Sequence, residues 1–114
     1  MAYDERLAER IRELLETEPD ISESKMFGGL AFLVAGNMVI AASREGGVLL
    51  RADPVTADAI VRRTHAEFAV MRGRPMDGWL RVAAEHLATR RQLAGWVSRA
   101  MTYARTLPPK PGRR

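Results

Sequence analysis

The chain has 114 residues, of which 46% are hydrophobic and 28% charged, with a net charge of +4. These figures describe one globular domain rather than a disordered tail or a low-complexity repeat, and a chain of this length buries roughly 65% of its unfolded surface without metals or disulfides. It contains no cysteine, which excludes a disulfide scaffold, a thiol nucleophile and cysteine-ligated zinc or iron–sulfur clusters.

Residues 4–17 predict a helix. Leu7, Ile11, Leu14 and Leu15 share one stripe, extended by Tyr3, and Asp4 and Glu5 sit where the helix dipole favours negative charge. Glu9, Arg10, Arg12 and Glu13 occupy the other faces and are expected in solvent. Pro19 stops the helix near Thr17 or Glu18. Residues 20–53 predict β-structure, punctuated by Gly28-Gly29, Gly36-Asn37 and Gly46-Gly47, where each pair can supply the positive φ of a tight turn. The segments 30–35, 38–43 and 48–52 have strand length, and 25–27 is either a further short strand or a lead-in. These strands alternate poorly, which predicts a sheet covered by helices on one face and partly apolar on the other.

Asp53-Pro54 reads as the cap and first residue of a second helix, with Val55, Ala59 and Ile60 facing inward and Arg62 and Arg63 at its end. Residues 66–70 and 78–82 predict two more strands around an arginine-rich loop, 71–77. Thr89 and Gln92 have capping-box spacing, and Leu93, Trp96, Val97, Ala100, Met101 and Ala104 follow at helical spacing until Pro108-Pro109. The predicted order is α-β-β-β-α-β-β-α, an α+β two-layer sandwich of an antiparallel sheet with helices on one face. It occupies residues 1–107, and residues 108–114 form a basic tail expected to be disordered.

Charge is divided along the chain. Residues 1–57 carry six basic and ten acidic groups, whereas residues 58–114 carry twelve basic and four acidic. Such asymmetry suggests either pairing between copies or an anionic partner for the basic half. Glycines and Asn37 break the apolar stretch 26–42, so no membrane span is expected. The N-terminus lacks the basic and apolar segments of a secretory signal, and a cytoplasmic location is expected.

The residues offer little for catalysis. His65 and His86 are the sole imidazoles, no carboxylate stands at metal-ligand spacing from either, and no nucleophile elbow or phosphate-binding loop is present. His65 suits the end of the second helix, where it can cap the last carbonyls, and His86 suits the surface. Glu16, Glu18, Asp20 and Glu23 read as solvated loop charge. Trp79 and Trp96 read as core, and Met26, Met38, Met71, Met76 and Met101 as gap-fillers there. No enzymatic activity and no cofactor or metal is expected. One constellation carries a functional reading: Arg62, Arg63, Arg72, Arg74, Arg90 and Arg91, if they converge, form a surface for nucleic acid or an acidic protein.

The run Lys25-Met26-Phe27-Gly28-Gly29-Leu30-Ala31-Phe32 with Gly36-Asn37-Met38, then Arg51, Gly73-Arg74-Pro75-Met76-Asp77-Gly78-Trp79, and the closing Trp96-Val97 and Leu107-Pro108-Pro109-Lys110, resembles the TfoX/Sxy family N-terminal domain over residues 4–110. The resemblance implies a two-layer fold of helices on an antiparallel sheet. It also implies a small bacterial regulatory module related to competence and transcription regulators, working through protein contacts near DNA; the best-known members carry a second, helical domain, and this chain is expected to depart from them as a single-domain member. Within the motif, Gly28, Gly29, Gly36 and Gly73 read as turn positions, Gly78 as a close backbone approach and Trp79 as packing. A homodimeric scaffold without any nucleic-acid role is the alternative.

Overall fold

Asp4, expected within the first turn, is instead the cap that opens the first helix, its Oδ1 accepting the Leu7 N–H at 3.1 Å at the start of α1 (Glu5–Leu15). The computed structural model describes residues 3–26 and 28–110. α1 buries Leu7, Ala8, Ile11 and Leu15, with Leu14 at the margin of the stripe. Two of its arginines, expected in solvent, instead fasten it to the rest of the chain. Arg10 Nη2 donates to Leu87 O at 2.7 Å, and Arg12 forks onto Glu23, Nε to Oε2 at 2.6 Å and Nη2 to Oε1 at 2.9 Å. Glu18 likewise takes the Arg105 guanidinium at 2.8 Å. Glu18 and Glu23 are therefore paired, with partners too distant in sequence for a local pattern to reveal.

The expected meander of three strands is a meander of four: β1 (Ile21–Met26), β2 (Gly29–Val34), β3 (Asn37–Ala42) and β4 (Val48–Arg51). β1 pairs with β2 alone and exposes Ser22, Glu23 and Lys25, so it lacks the apolar signal by which a strand is read. β2 and β3 are joined by Ala35 (φ 50°) and Gly36 (φ 84°), a type I′ turn whose twist matches the strands. A register shift at Phe32/Leu33 places both Val39 and Ile40 of β3 in the helix-side core, while Met38 turns to the opposite face.

The second helix, α2 (Ala57–Arg63), starts later than the Asp53-Pro54 signal suggests. Asp53 closes a local turn, its Oδ1 accepting from Val55 N at 2.9 Å and its carbonyl from Thr56 N at 3.0 Å. Asp side chains favour such turns in competition with helix capping. Val55, expected to face inward, is 86% exposed as a result. The predicted loop 71–77 shrinks to a two-residue turn, Arg72 (φ 55°) and Gly73 (φ 79°), between β5 (Glu67–Met71) and β6 (Arg74–Val82). β6 runs past the end of β4, whose last paired residue Arg51 sits opposite Trp79. At Arg74 and Pro75 only β5 pairs with it, and a strand with one open side tolerates Pro75.

All neighbours are antiparallel, in the order β1-β2-β3-β4-β6-β5. After a single 3-10 turn, Ala84–His86, the capping box forms as predicted: Thr89 N donates to Gln92 Oε1 and Gln92 N to Thr89 Oγ1, both at 3.0 Å. It opens α3 (Arg90–Ala104), which lies across β3 and β4 beside α1, while α2 packs on β6. Ile11, Leu93, Val97 and Ala100 from the helices meet Phe32, Ile40, Leu50 and Leu80 from the sheet in one core. The architecture is the α+β two-layer sandwich, with the helices on one face. Among the described residues, no helix is long and apolar enough to cross a membrane.

The chain beyond α3 docks on the β2–β3 turn. Asn37 Nδ2 donates to Pro108 O and Lys110 N to Ala35 O, both at 2.9 Å. A Cβ on Gly36 would stand 2.9 Å from Lys110 Cβ, so this glycine serves both the positive φ and the close approach. Residues 111–114 of the predicted tail lie outside the described residues.

Candidate functional site on the open face of the sheet

Strand alternation places a second set of side chains on the face away from the helices. Leu49 and Arg51 of β4 stand opposite Arg81 and Trp79 of β6, and the row continues through Ala41 of β3 to Ala31 of β2. Ala31, Met38 and Ala41 are buried there, packed beneath Met26, Leu33, Leu49 and Trp79. No helix residue belongs to this cluster. The small alanines in the middle, with longer Met, Leu and Trp side chains around them, make a trough.

The trough is a groove of about 1530 Å³ that reaches every strand of the sheet. β1 and β5 are its opposite edges, roughly 24 Å apart in a flat sheet at about 4.8 Å per strand. Both nonetheless line the same groove, β1 through Ser22, Ser24 and Met26 and β5 through Ala69, Val70 and Met71, so the open face is concave. Val70 and Met71 are 61% and 45% exposed, both unusually high for large apolar side chains.

Cations flank this apolar floor. The Arg51 guanidinium lies 5.2 Å from the centroid of the Trp79 ring, held by the ring face. Arg81 is tied to the β3–β4 loop, 3.2 Å from Glu45 Oε1, with Nη1 donating to Ser43 Oγ and Nη2 to Gly46 O. Arg44 and Lys110 complete the cationic rim, and Asp20 adds one acid. Among the described residues no carboxylate pairs with Arg44, Arg51 or Lys110.

The six arginines singled out by sequence do not converge. Arg62 and Arg63 end α2 just before β5, whereas Arg72 lies in the turn after it and Arg74 follows that turn. The 5 residues of β5 separate the two pairs by about 16 Å at roughly 3.3 Å per residue. Arg90 and Arg91 begin α3, near the α2 end, because His65 and His86 stack there at 3.9 Å with planes 2° apart. All six are exposed, and Arg62 has Asp58 at 4.0 Å.

Other expectations are also revised. His65 does not cap α2; Thr64 does, its Oγ1 donating to Ile60 O at 2.7 Å. Trp79 belongs to the open face rather than the main core, and Met26, Met38, Met71 and Met76 line the groove, leaving Met101 as the core gap-filler. Gly78 does make the close approach expected of it: a Cβ would lie 3.1 Å from Ala52 O, and Ala52 N donates to Gly78 O at 2.8 Å. Of the motif residues, Phe27 lies outside the described residues, while Gly28, Gly29, Gly36, Asn37 and Gly73 sit at hairpin turns. Among the described residues, no group of three or more His, Asp or Glu side chains could hold a metal ion. Sequence reasoning missed Leu49, Arg44 and Lys110. The signal for Leu49 was the run 38–42, apolar on both faces of its strand, which indicates a second apolar surface.

One antiparallel sheet, roofed by helices on one face and bearing a concave apolar groove on the other, defines a small α+β module. A family model, the TfoX N-terminal domain, matches residues 13–104, and the chain belongs to that family. No curated protein matches it.

Proposed function

We propose that this chain is a non-catalytic regulatory module of the competence-regulator type that works by holding a partner protein on the open face of its sheet. The observation that carries this reading is the concave groove, with Leu49, Trp79 and the exposed Val70 and Met71 on a face that no helix covers among the described residues. Contiguous exposed apolar surface of this kind marks interaction sites in soluble proteins. The division of the six arginines between two ends of the fold supports a protein partner over a duplex lying along one continuous cationic stripe.

The test is retention of host proteins on the immobilised chain, comparing wild type with Leu49→Asp and with the quadruple variant Arg62→Ser, Arg63→Ser, Arg90→Ser, Arg91→Ser. The reading expects one protein to be lost with Leu49→Asp and kept by the quadruple variant. Loss with the quadruple variant alone, together with duplex DNA binding that weakens steeply as salt rises, contradicts it and favours the nucleic-acid role.

A further inference from the structure

We propose that the occupant of the groove is an acidic amphipathic helix of a partner protein, its apolar face on Leu49, Met71 and Trp79 and its carboxylates on Arg44, Arg51 and Lys110. This rests on the reading above and names the chemistry of the partner.

Size is the first argument. Small-molecule sites span roughly 300–1,000 Å³. The groove, at about 1530 Å³, exceeds that range and suits a segment of folded protein.

Backbone chemistry is the second. β2, β3 and β4, which form most of the floor, are each paired on both sides, as is β6 at Leu80 and Arg81, so this part of the groove offers side chains and few free backbone groups. An extended peptide laid on them would bury N–H and C=O groups without partners, which disfavours it. A helix satisfies its own backbone and presents apolar side chains alone.

The lining is the third argument. Four methionines in one groove make an adaptable surface that can follow an irregular apolar stripe.

Charge selects the flank of the helix and disfavours other occupants. Arg81 is matched by Glu45, so Arg44, Arg51 and Lys110 face Asp20 alone. A second copy of the chain seated face to face would oppose two such cationic rims. The chain's own Arg113 and Arg114 carry the same sign as the rim. Glutamates or aspartates beside an apolar stripe complement it, and the Arg51 guanidinium is already oriented by Trp79.

The experiment is selection of displayed random peptides of about 16 residues, roughly four helical turns, on the full chain. Recovered peptides are then measured by fluorescence anisotropy and circular dichroism. Expected are sequences with apolar residues at helical spacing and acidic flanks that gain helicity on binding. Arg51→Glu or Arg44→Glu should weaken them at least about tenfold, and Arg91→Ser should not. Arg44 is exposed and Arg51 half-buried at the rim, and Leu49→Lys provides an independent block of the floor. Recovery of basic or aperiodic peptides, of none, or of peptides indifferent to Arg51→Glu overturns the proposal. Self-association of the chain that Leu49→Lys abolishes also overturns it, in favour of a second copy. If a host protein still depends on Leu49 while no acidic helix binds, the docking function stands and only this inference falls. If neither is seen, both fall.

Discussion

Asn37 is the one polar side chain buried in the described chain, 3% exposed, and its amide reaches Pro108 O. It joins the β2–β3 turn to the segment that carries Lys110 to the rim of the groove. Asn37→Ala leaves that carbonyl without its donor and should lower stability by about 1–2 kcal/mol in urea denaturation. It should also speed hydrogen exchange at the Lys110 amide; unchanged exchange there would show that the clasp does not depend on Asn37. A second residue-scale device is the fork between Arg12 and Glu23. The hydrogen bond from Arg12 holds the Glu23 carboxyl below its ordinary range and raises the Arg12 guanidinium above its own. Since the folded-state value of Glu23 is depressed, its contribution is complete above the unfolded pKa of about 4.3 and fades as pH falls through the folded value. Both side chains are more than a third exposed, so the contribution is below about 1 kcal/mol after solvent screening. Carbon-detected titration of Glu23 should show the depressed value in wild type and its return to the ordinary range in Arg12→Gln; identical titrations would contradict the assignment.

At the scale of elements, sequence and structure agree where a local physical rule suffices and part where a distant partner decides. The Thr89/Gln92 box is a rule within four residues, and it forms as written. Thr89→Ala should cost about 1 kcal/mol in thermal or chemical unfolding, and a neutral result would mean that packing alone starts α3. α1 was legible from its stripe and Asp4. β1 was not, because its neighbour covers one side only and its residues are polar. The hairpin around Arg72-Gly73 was hidden by Pro75, which argues against a strand until one sees that β4 stops short of it. Asp53 misled in the opposite way, since an Asp before a helix can serve either a cap or a turn and only the fold decides between them. Within the candidate site, the open apolar face was foreshadowed by strands that fail to alternate. Its cationic rim was not, since Arg44, Arg51 and Lys110 come from a loop, a strand and the chain end, and only sheet curvature assembles them.

At the scale of the whole molecule, the helices shield one face of the sheet and curvature makes the other concave. This division separates the core from the proposed docking face: the fully buried side chains Phe32, Ile40, Leu50 and Leu80 point to the helices, while the residues that alternate with them in β4 and β6 are only partly buried and line the groove. Replacing Leu49 by a charged residue should therefore alter binding far more than folding. The arginines at the two ends of the fold remain exposed charge, and their loss should leave both largely unchanged.

The most direct measurement places a photo-crosslinking benzoylphenylalanine at Leu49 in one version of the chain and at Arg91 in another, each expressed in its host and irradiated. Docking on the open face predicts a discrete, protease-sensitive and nuclease-resistant adduct from position 49 and none from position 91. An adduct from position 91 alone, or one from either position that nuclease destroys, would contradict it.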